Sequence, residues 1–306
     1  MASKALFGGF SQSAANDVTA AHRAEERVLE AIDRLGLRDH VLDLETKGYT
    51  ILPPEKVGAP GLSETLRDQV LAEIKREHGI TADLAAGLGV SDHKNQFGDG
   101  ISMPGILFTN PIFESALMNE PVLALITYLV GESCQLSSMG GIIKTQGEQH
   151  LELHVDQVGN PSPLPPYPQV ANATWLLTDY SPENGSTCFV DGSHLLCRPP
   201  SPAEATDVSR FKPITAPAGS VLIWGGNTWH GALPRTTPGL RVGLLVFFSR
   251  WYLYKGEEDP AARVTPEMLA RNPARFRRLS GVEPVSLIPP TPDAPTMGRA
   301  ALSRFA

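Results

Sequence analysis

The chain has 306 residues, with 26 Lys plus Arg against 33 Asp plus Glu and a formal net charge of −7. That is the wrong sign for a surface that tracks phosphates, so nucleic acid is not an expected partner. Hydrophobic residues make up 42% and charged residues 19%, too apolar and too weakly charged for a chain that stays disordered as a whole. The 28 glycines and 27 prolines exceed their usual combined share of roughly 12% and favour many turns between short strands. Cys134, Cys188 and Cys197 form neither a CxxC pair nor an even set, so no disulfide framework is expected and a reducing cytoplasm is the expected compartment. The N-terminus lacks the apolar run of a secretory signal, and the most apolar stretch, Val122–Val130, falls short of the about 20 residues that cross a bilayer. No membrane role is expected.

In chain order, Ala21, Ala24, Val28, Leu29, Ile32 and Leu35 recur at helical intervals and predict an amphipathic helix from about Val18 to Leu35, with Asp17 as N-cap and Gly36 as stop. A second helix is predicted over Ser63–His78, where Leu66, Val70, Leu71 and Ile74 share a face and Gly79 ends it, and a third over Pro111–Val130. Between them, His93–Phe108 (HKNQFGDGISMPGILF) has no clear period and reads as an irregular lid, with Gln96 and Met103 as candidate substrate contacts. At Cys134 the character changes. LSSMGGIIKT, HLELHVD, ANATWLLTDYS, GSTCFVDG, GSVLIW, TWHGAL and LRVGLLVFFSR are short apolar runs broken by Gly, Pro, Asn and Asp. Closely spaced strands without helical repeats between them predict an antiparallel sandwich or barrel. Gly159–Gln169 (GNPSPLPPYPQ) reads as a rim loop, and the tail from Ser286 as a surface segment with little regular structure. The expected organisation is one compact domain. Residues 1–133 form a mainly helical part that supplies a lid, 134–254 a β core, and 255–306 a C-terminal extension.

Of the eight histidines, two stand apart by context. In LELHVDQ, His154 and Asp156 are two residues apart, so on a strand they project from one face about 7 Å apart and can converge on one metal ion. A His-x-Asp tripeptide alone is commonplace. It gains weight from His230 in SVLIWGGNTWHGALP, on another predicted strand in a setting of Gly and Trp. Two imidazoles and one carboxylate on one face of an octahedral ion are the triad of non-haem Fe(II) oxygenases, which leaves three positions open. A structural zinc site would want four closed ligands, usually with thiolates, and Cys188 and Cys197 show no such spacing with His194. Arg241 opens LRVGLLVFFSR and shares a face with Gly243, Leu245 and Phe247. A guanidinium on such a face wants either a bidentate anionic ligand or an acidic side chain across the sheet. Trp175 and Trp229 are candidate pocket walls or core fillers. Gln149 and Asn172 are candidate groups to orient substrate or oxygen, or else solvent-facing strand positions.

Taken together, His154-Val155-Asp156, LLTDYSPENGSTCFVDGSHL (Leu176–Leu195), His230 and Arg241 resemble the phytanoyl-CoA dioxygenase (PhyH) family of Fe(II)- and 2-oxoglutarate-dependent oxygenases, over roughly Gly140 to Arg250. Asn184-Gly185 followed by Gly192-Ser193-His194 is similar to the family's "NG…PGSH" signature, with Asp191 in place of the usual proline. His194 is then a structural residue of that turn. The resemblance implies a mainly β fold with flanking helices, built on a double-stranded β-helix (jelly-roll, cupin-like) core. It further implies Fe(II) held by His154, Asp156 and His230, 2-oxoglutarate with its distal carboxylate on Arg241, and O2 as co-substrate. Family members commonly carry a hydroxyl residue two positions after the distal histidine, where this chain has Ala232, so Thr187 or a water would have to assist that carboxylate. The implied reaction couples oxidative decarboxylation of 2-oxoglutarate, to succinate and CO2, with hydroxylation of an unactivated C–H bond in a small apolar or amphipathic metabolite. Desaturation, ring formation and epimerisation use the same triad and stay open, whereas the carboxylate of Asp156 disfavours chlorination. The acidic charge and lack of a basic cluster argue against a CoA thioester. Two rival classes stand beside this one. One is a cupin-like metal enzyme that does not use 2-oxoglutarate and has no need of a buried Arg241; the other is a non-catalytic jelly-roll binding protein.

Overall fold

The computed structural model describes residues 23–58, 60–88, 94–95, 98–157, 159–253 and 260–283. Helix α1 covers 23–34; the expected start at Val18 and the Asp17 cap lie outside the described residues. It is followed by α2 (Arg38–Thr46), strand β1 (Tyr49–Leu52), the short α3 (Pro54–Val57) and α4 (Leu62–His78). Gly79 ends α4 in the left-handed region at φ 68°, where a residue without Cβ is unstrained. The single helix expected over Pro111–Val130 is two, α5 (Ile112–Leu117) and α6 (Glu120–Val130). Asn119 breaks the run: its side chain accepts from the Val122 amide, and Pro121 has no N–H to continue the preceding ladder.

The stretch read as a lid is largely sheet. β2 (Lys94–Asn95) pairs with β3 (Gly98–Pro104), and β3 lies antiparallel against the following strand, β4 (Gln135–Lys144). Each strand expected after Cys134 forms: β4, β5 (Leu151–His154), β6 (Val170–Leu176), β7 (Thr187–Phe189), β9 (Val221–Gly225), β10 (His230–Ala232) and β11 (Arg241–Ser249). The one-turn helix α7 (Pro202–Ala205) and the short strand β8 (Lys212–Pro213) were not foreseen. Two antiparallel sheets result, a larger one in the order β1-β9-β6-β11-β4-β3-β2 and a smaller one in the order β5-β10-β7-β8. They face each other as a jelly roll. Phe189 of the smaller sheet stacks on Tyr49 at 4.1 Å and meets the edge of Trp224 at 5.7 Å, both from the larger.

Strand alternation sorts the side chains into two cores. Val242, Leu244, Val246 and Phe248 of β11, with Ala171, Ala173 and Trp175 of β6, join the main core under the helices. Arg241 and Leu245 of β11, with Asn172 and Thr174 of β6, face the space between the sheets. The helical layer includes α8 (Pro266–Arg271) and α9 (Ala274–Leu279), which bring Met268, Phe276 and Leu279 into the main core. Since β1 and β3 precede Cys134 yet belong to the larger sheet, that residue does not mark where the β layer begins. The tail from Ser286 lies outside the described residues. All three cysteines are free, and no helix among the described residues is long and apolar enough to cross a membrane.

Phe248 is fully buried, and it faces the helices while its strand-mates Arg241 and Leu245 face the cavity. Phe248→Ala is expected to lower unfolding free energy by about 3–5 kcal/mol in urea titrations, with metal affinity of the folded fraction unchanged.

Candidate metal centre

Antiparallel register pairs His230 of β10 with His154 at the end of β5. Their rings lie 4.3 Å apart between centroids, tilted by 49°. Asp156 does not sit on β5 as expected, because the strand ends at His154. The chain turns out, and the Asp156 amide donates to the Gly226 carbonyl at 2.8 Å, which carries the carboxylate back toward both imidazoles. Oδ1 is 3.7 Å from His154 Nε2 and Oδ2 is 3.3 Å from His230 Nε2. One ligand atom from each of the three residues lies within 4.8 Å of the others.

The hydrogen bonds fix how these groups present themselves. His154 Nδ1 contacts the Glu152 carbonyl at 2.9 Å and His230 Nδ1 the Thr228 carbonyl at 3.0 Å. A carbonyl only accepts, so both Nδ1 atoms carry the proton and both Nε2 lone pairs are free toward the centre. Burial pushes the His230 pKa down to about 4, against the opposing pull of Asp156, so its imidazole is neutral and able to bind a cation at neutral pH. On the carboxylate, Oδ2 accepts from Asn172 Nδ2 at 2.6 Å and from Trp224 Nε1 at 3.1 Å. Two donors on one oxygen orient the carboxylate, and among the described residues Oδ1 has no hydrogen-bond donor. A donor set of two imidazoles and one carboxylate suits a divalent transition metal such as Fe(II).

The triad shares a cavity of about 610 Å³, mouth included, with Arg241, Thr187 and Ala232. Arg241 is 6% exposed. Its Nη1 donates to the Gly185 carbonyl, its guanidinium lies over the Tyr180 ring at 4.7 Å, and its Nε has no partner. Among the described residues no carboxylate pairs with it, so the acidic-partner alternative has no occupant. Gly243 makes room for this arrangement, since a Cβ there would come within 2.7 Å of Tyr180 Oη. Thr187 and Ala232 are cross-strand partners. The two turns of the NG…GSH stretch act as braces. Gly185, at φ 72°, offers the carbonyl that holds Arg241, and Ser193 Oγ accepts from the Trp229 amide at 2.8 Å, next to His230. His194 stays outside the metal cluster, its Nε2 at 3.2 Å from the Glu45 carbonyl. Asp191, at the position of the usual proline, accepts from Tyr49 Oη and Lys212 Nζ.

The other singled-out residues divide. Asn172 reaches the centre. Trp175 does not: it occupies the helix-facing side of β6, one position out of phase with Asn172 and Thr174. Trp229 does not either, since it precedes His230 and projects oppositely, packing with Val155 and Leu164 under the guanidinium groups of Arg198 and Arg210. Met103, 2% exposed, fills the main core near Val70 and Ile106 instead of touching the cavity. Gln149 is exposed and away from the cavity, and Gln96 lies outside the described residues. Trp224 and Tyr180 are the aromatic groups that line the cavity, and sequence reasoning missed both. Strand parity offered a signal: Trp224 shares a face of β9 with Leu222, and both pack between the sheets.

The family model described as phytanoyl-CoA dioxygenase (PhyH) matches residues 55–243. The chain belongs to this family of Fe(II)- and 2-oxoglutarate-dependent oxygenases. Dioxygenase af480 of Aspergillus fumigatus is 31% identical over 119 residues, which are 37% of this chain and 37% of that protein; the chain therefore matches well under half the length of this curated relative. Two solved structures share the fold. HygX from Streptomyces hygroscopicus, with nickel, 2-oxoglutarate and hygromycin B bound, has a TM-score of 0.55 at 21% identity over 72% of this chain and 90% of its own. The epimerase SnoN, in complex with Fe3+, alpha ketoglutarate and nogalamycin RO, has a TM-score of 0.52 at 18% identity over 70% and 84%.

If Asn172 and Trp224 orient the carboxylate, Asn172→Ala and Trp224→Phe should each weaken Co(II) or Fe(II) binding about 10–100-fold. Equilibrium metal titration checks this, with circular dichroism confirming the fold; wild-type affinity in both variants would contradict the assignment.

Proposed function

We propose that the protein is an Fe(II)/2-oxoglutarate-dependent oxygenase that hydroxylates an unactivated C–H bond of a small apolar or amphipathic metabolite, releasing succinate and CO2. His154, Asp156 and His230 hold the iron. Arg241 receives the distal carboxylate of 2-oxoglutarate, and the Thr187 hydroxyl supplies the hydrogen bond for which Ala232 has no donor. The observation that carries this reading is one cavity with a two-histidine, one-carboxylate cluster and a buried guanidinium that no carboxylate among the described residues pairs with. The metal, when bound, supplies the redox chemistry that couples O2 to decarboxylation of the keto acid.

The chain's own residues position and desolvate. Ile142, Leu151 and Leu245 give the cavity apolar walls, which exclude water from the reacting C–H bond. His154 is the more exposed of the two imidazoles, at 36% against 7% for His230, and marks the side from which substrate arrives. A small-molecule substrate is supported by the hygromycin B and nogalamycin RO held in the HygX and SnoN structures. A metal enzyme that does not use 2-oxoglutarate would leave Arg241 without a partner, and a binding protein would have no use for oriented Nε2 lone pairs.

Incubation with Fe(II), 2-oxoglutarate and O2 should form succinate, faster when the right substrate is present. Asp156→Ala should abolish succinate formation with melting behaviour preserved. Arg241→Met should raise the 2-oxoglutarate KM by about 30-fold or more. Absence of succinate from the iron-loaded wild-type protein across a substrate panel would contradict the proposal.

A further inference from the structure

Lys144 is the last residue of β4, and the sheet register sets it directly opposite Arg241 on β11. Opposed residues on antiparallel strands share a face, with Cβ atoms about 4.5–5.5 Å apart, and like charges placed so are destabilising. Here both are buried, Lys144 at 2% and Arg241 at 6% exposure. Neither has a carboxylate partner among the described residues. Among the described residues the only bond of the Lys144 ammonium is a long one, 3.4 Å to the Gln149 carbonyl, and Arg241 keeps an unpartnered Nε. Ile142, on the same face of β4 two residues earlier, and Arg241 opposite both line the metal cavity, and Lys144 lies next to that lining, not within it. The ionisable groups facing Lys144 are Arg241 from β11, Asp99 from β3 and Cys188 from β7, and burial together with Arg241 depresses the lysine pKa to about 7. Asp99 opposes that shift without forming an ion pair with the lysine, and its carboxylate accepts from the Gln149 amide.

Two adjacent buried cations that no carboxylate among the described residues pairs with form a poor core and a ready seat for an anion. Their position bears on the missing hydroxyl. Ala232, where the family commonly has one, pairs across the smaller sheet with Leu151, two residues beyond the carbonyl that Lys144 contacts. We propose that Lys144 is a second cationic contact for the distal carboxylate of 2-oxoglutarate, acting beside Arg241 and in addition to the Thr187 hydroxyl. This rests on the proposed use of 2-oxoglutarate. It adds that selection for a keto acid with a second carboxylate depends on two opposed cations from neighbouring strands.

The test compares binding of 2-oxoglutarate with that of 2-oxovalerate, which has the same keto acid head and no distal carboxylate. Isothermal titration on the anaerobic Fe(II)-loaded full chain would be run for wild type, Lys144→Met, Lys144→Arg and Arg241→Met. Lys144→Met should weaken 2-oxoglutarate binding by about tenfold or more and leave 2-oxovalerate binding unchanged, while Lys144→Arg retains most of the preference. If Lys144 only braces the Gln149 carbonyl, both keto acids shift together or neither does, and the proposal is overturned. A preference lost in Arg241→Met but intact in Lys144→Met overturns the lysine's role alone. No preference in the wild type removes the 2-oxoglutarate reading itself. Lys144→Gln serves as a second neutral variant should the methionine protein fold poorly. Ligand-free stability gives an independent readout. A lysine whose pKa is lowered on folding penalises the folded state most below about pH 7, and the penalty fades toward the unfolded value near 10.4. Lys144→Met should therefore melt higher than wild type at pH 7, with the gap closing toward pH 10; equal melting across that range counts against an uncompensated buried charge.

Discussion

The site depends on the antiparallel register that sets His230 against His154. With the two imidazoles as cross-strand neighbours, each held through Nδ1 by a carbonyl two residues upstream, both Nε2 atoms converge on one point. A one-residue slip of β10 would send His230 to the opposite face and bring Trp229 in. The turn containing Ser193 opposes that slip, because its hydroxyl holds the amide immediately before the histidine.

Asp156 completes the centre by a different route. It lies past the end of its strand, so register does not aim it, and three separate bonds do: its amide to Gly226, and its Oδ2 from Asn172 and Trp224. All three partners belong to β6 or to β9 and the turn after it, elements of the larger sheet or adjoining it. The carboxylate thereby ties the small sheet that bears the histidines to the large sheet that bears Arg241. The cavity is correspondingly polarised. One end gathers a carboxylate and two imidazoles, a donor set suited to a cation, and the other holds the Arg241 guanidinium, suited to an anion. The proposed co-substrate, a metal-chelating dicarboxylate, has a group for each end.

Much of this was legible in the sequence because strands announce themselves by short apolar runs between turn residues, and because the His-x-Asp, the distal histidine and the NG…GSH stretch occur in a recognisable order. What stayed hidden was long-range. Tyr49–Leu52 is too short to read as a strand without its partner β9, and Gly98–Pro104 carries Gly, Ser and Pro where strand formers are usual, so its pairing with β4 supplies what its composition lacks. The break at Asn119 was masked by apolar spacing that runs on through it. Parity separates the tryptophans. Adjacent residues on a strand face opposite ways, so Trp229 could not join His230, nor Trp175 join Asn172, and Trp224 was the one in phase. The opposition of Lys144 to Arg241 needs the register between β4 and β11, which neither strand encodes alone.

X-ray absorption on the anaerobic Fe(II)-loaded protein tests the central claim most directly. The account predicts one iron per chain with only nitrogen and oxygen neighbours, and a multiple-scattering pattern fitted by two imidazoles that falls to one in His230→Ala. A sulfur neighbour, a four-coordinate site with three or more imidazoles, or iron binding indifferent to His230 would contradict it.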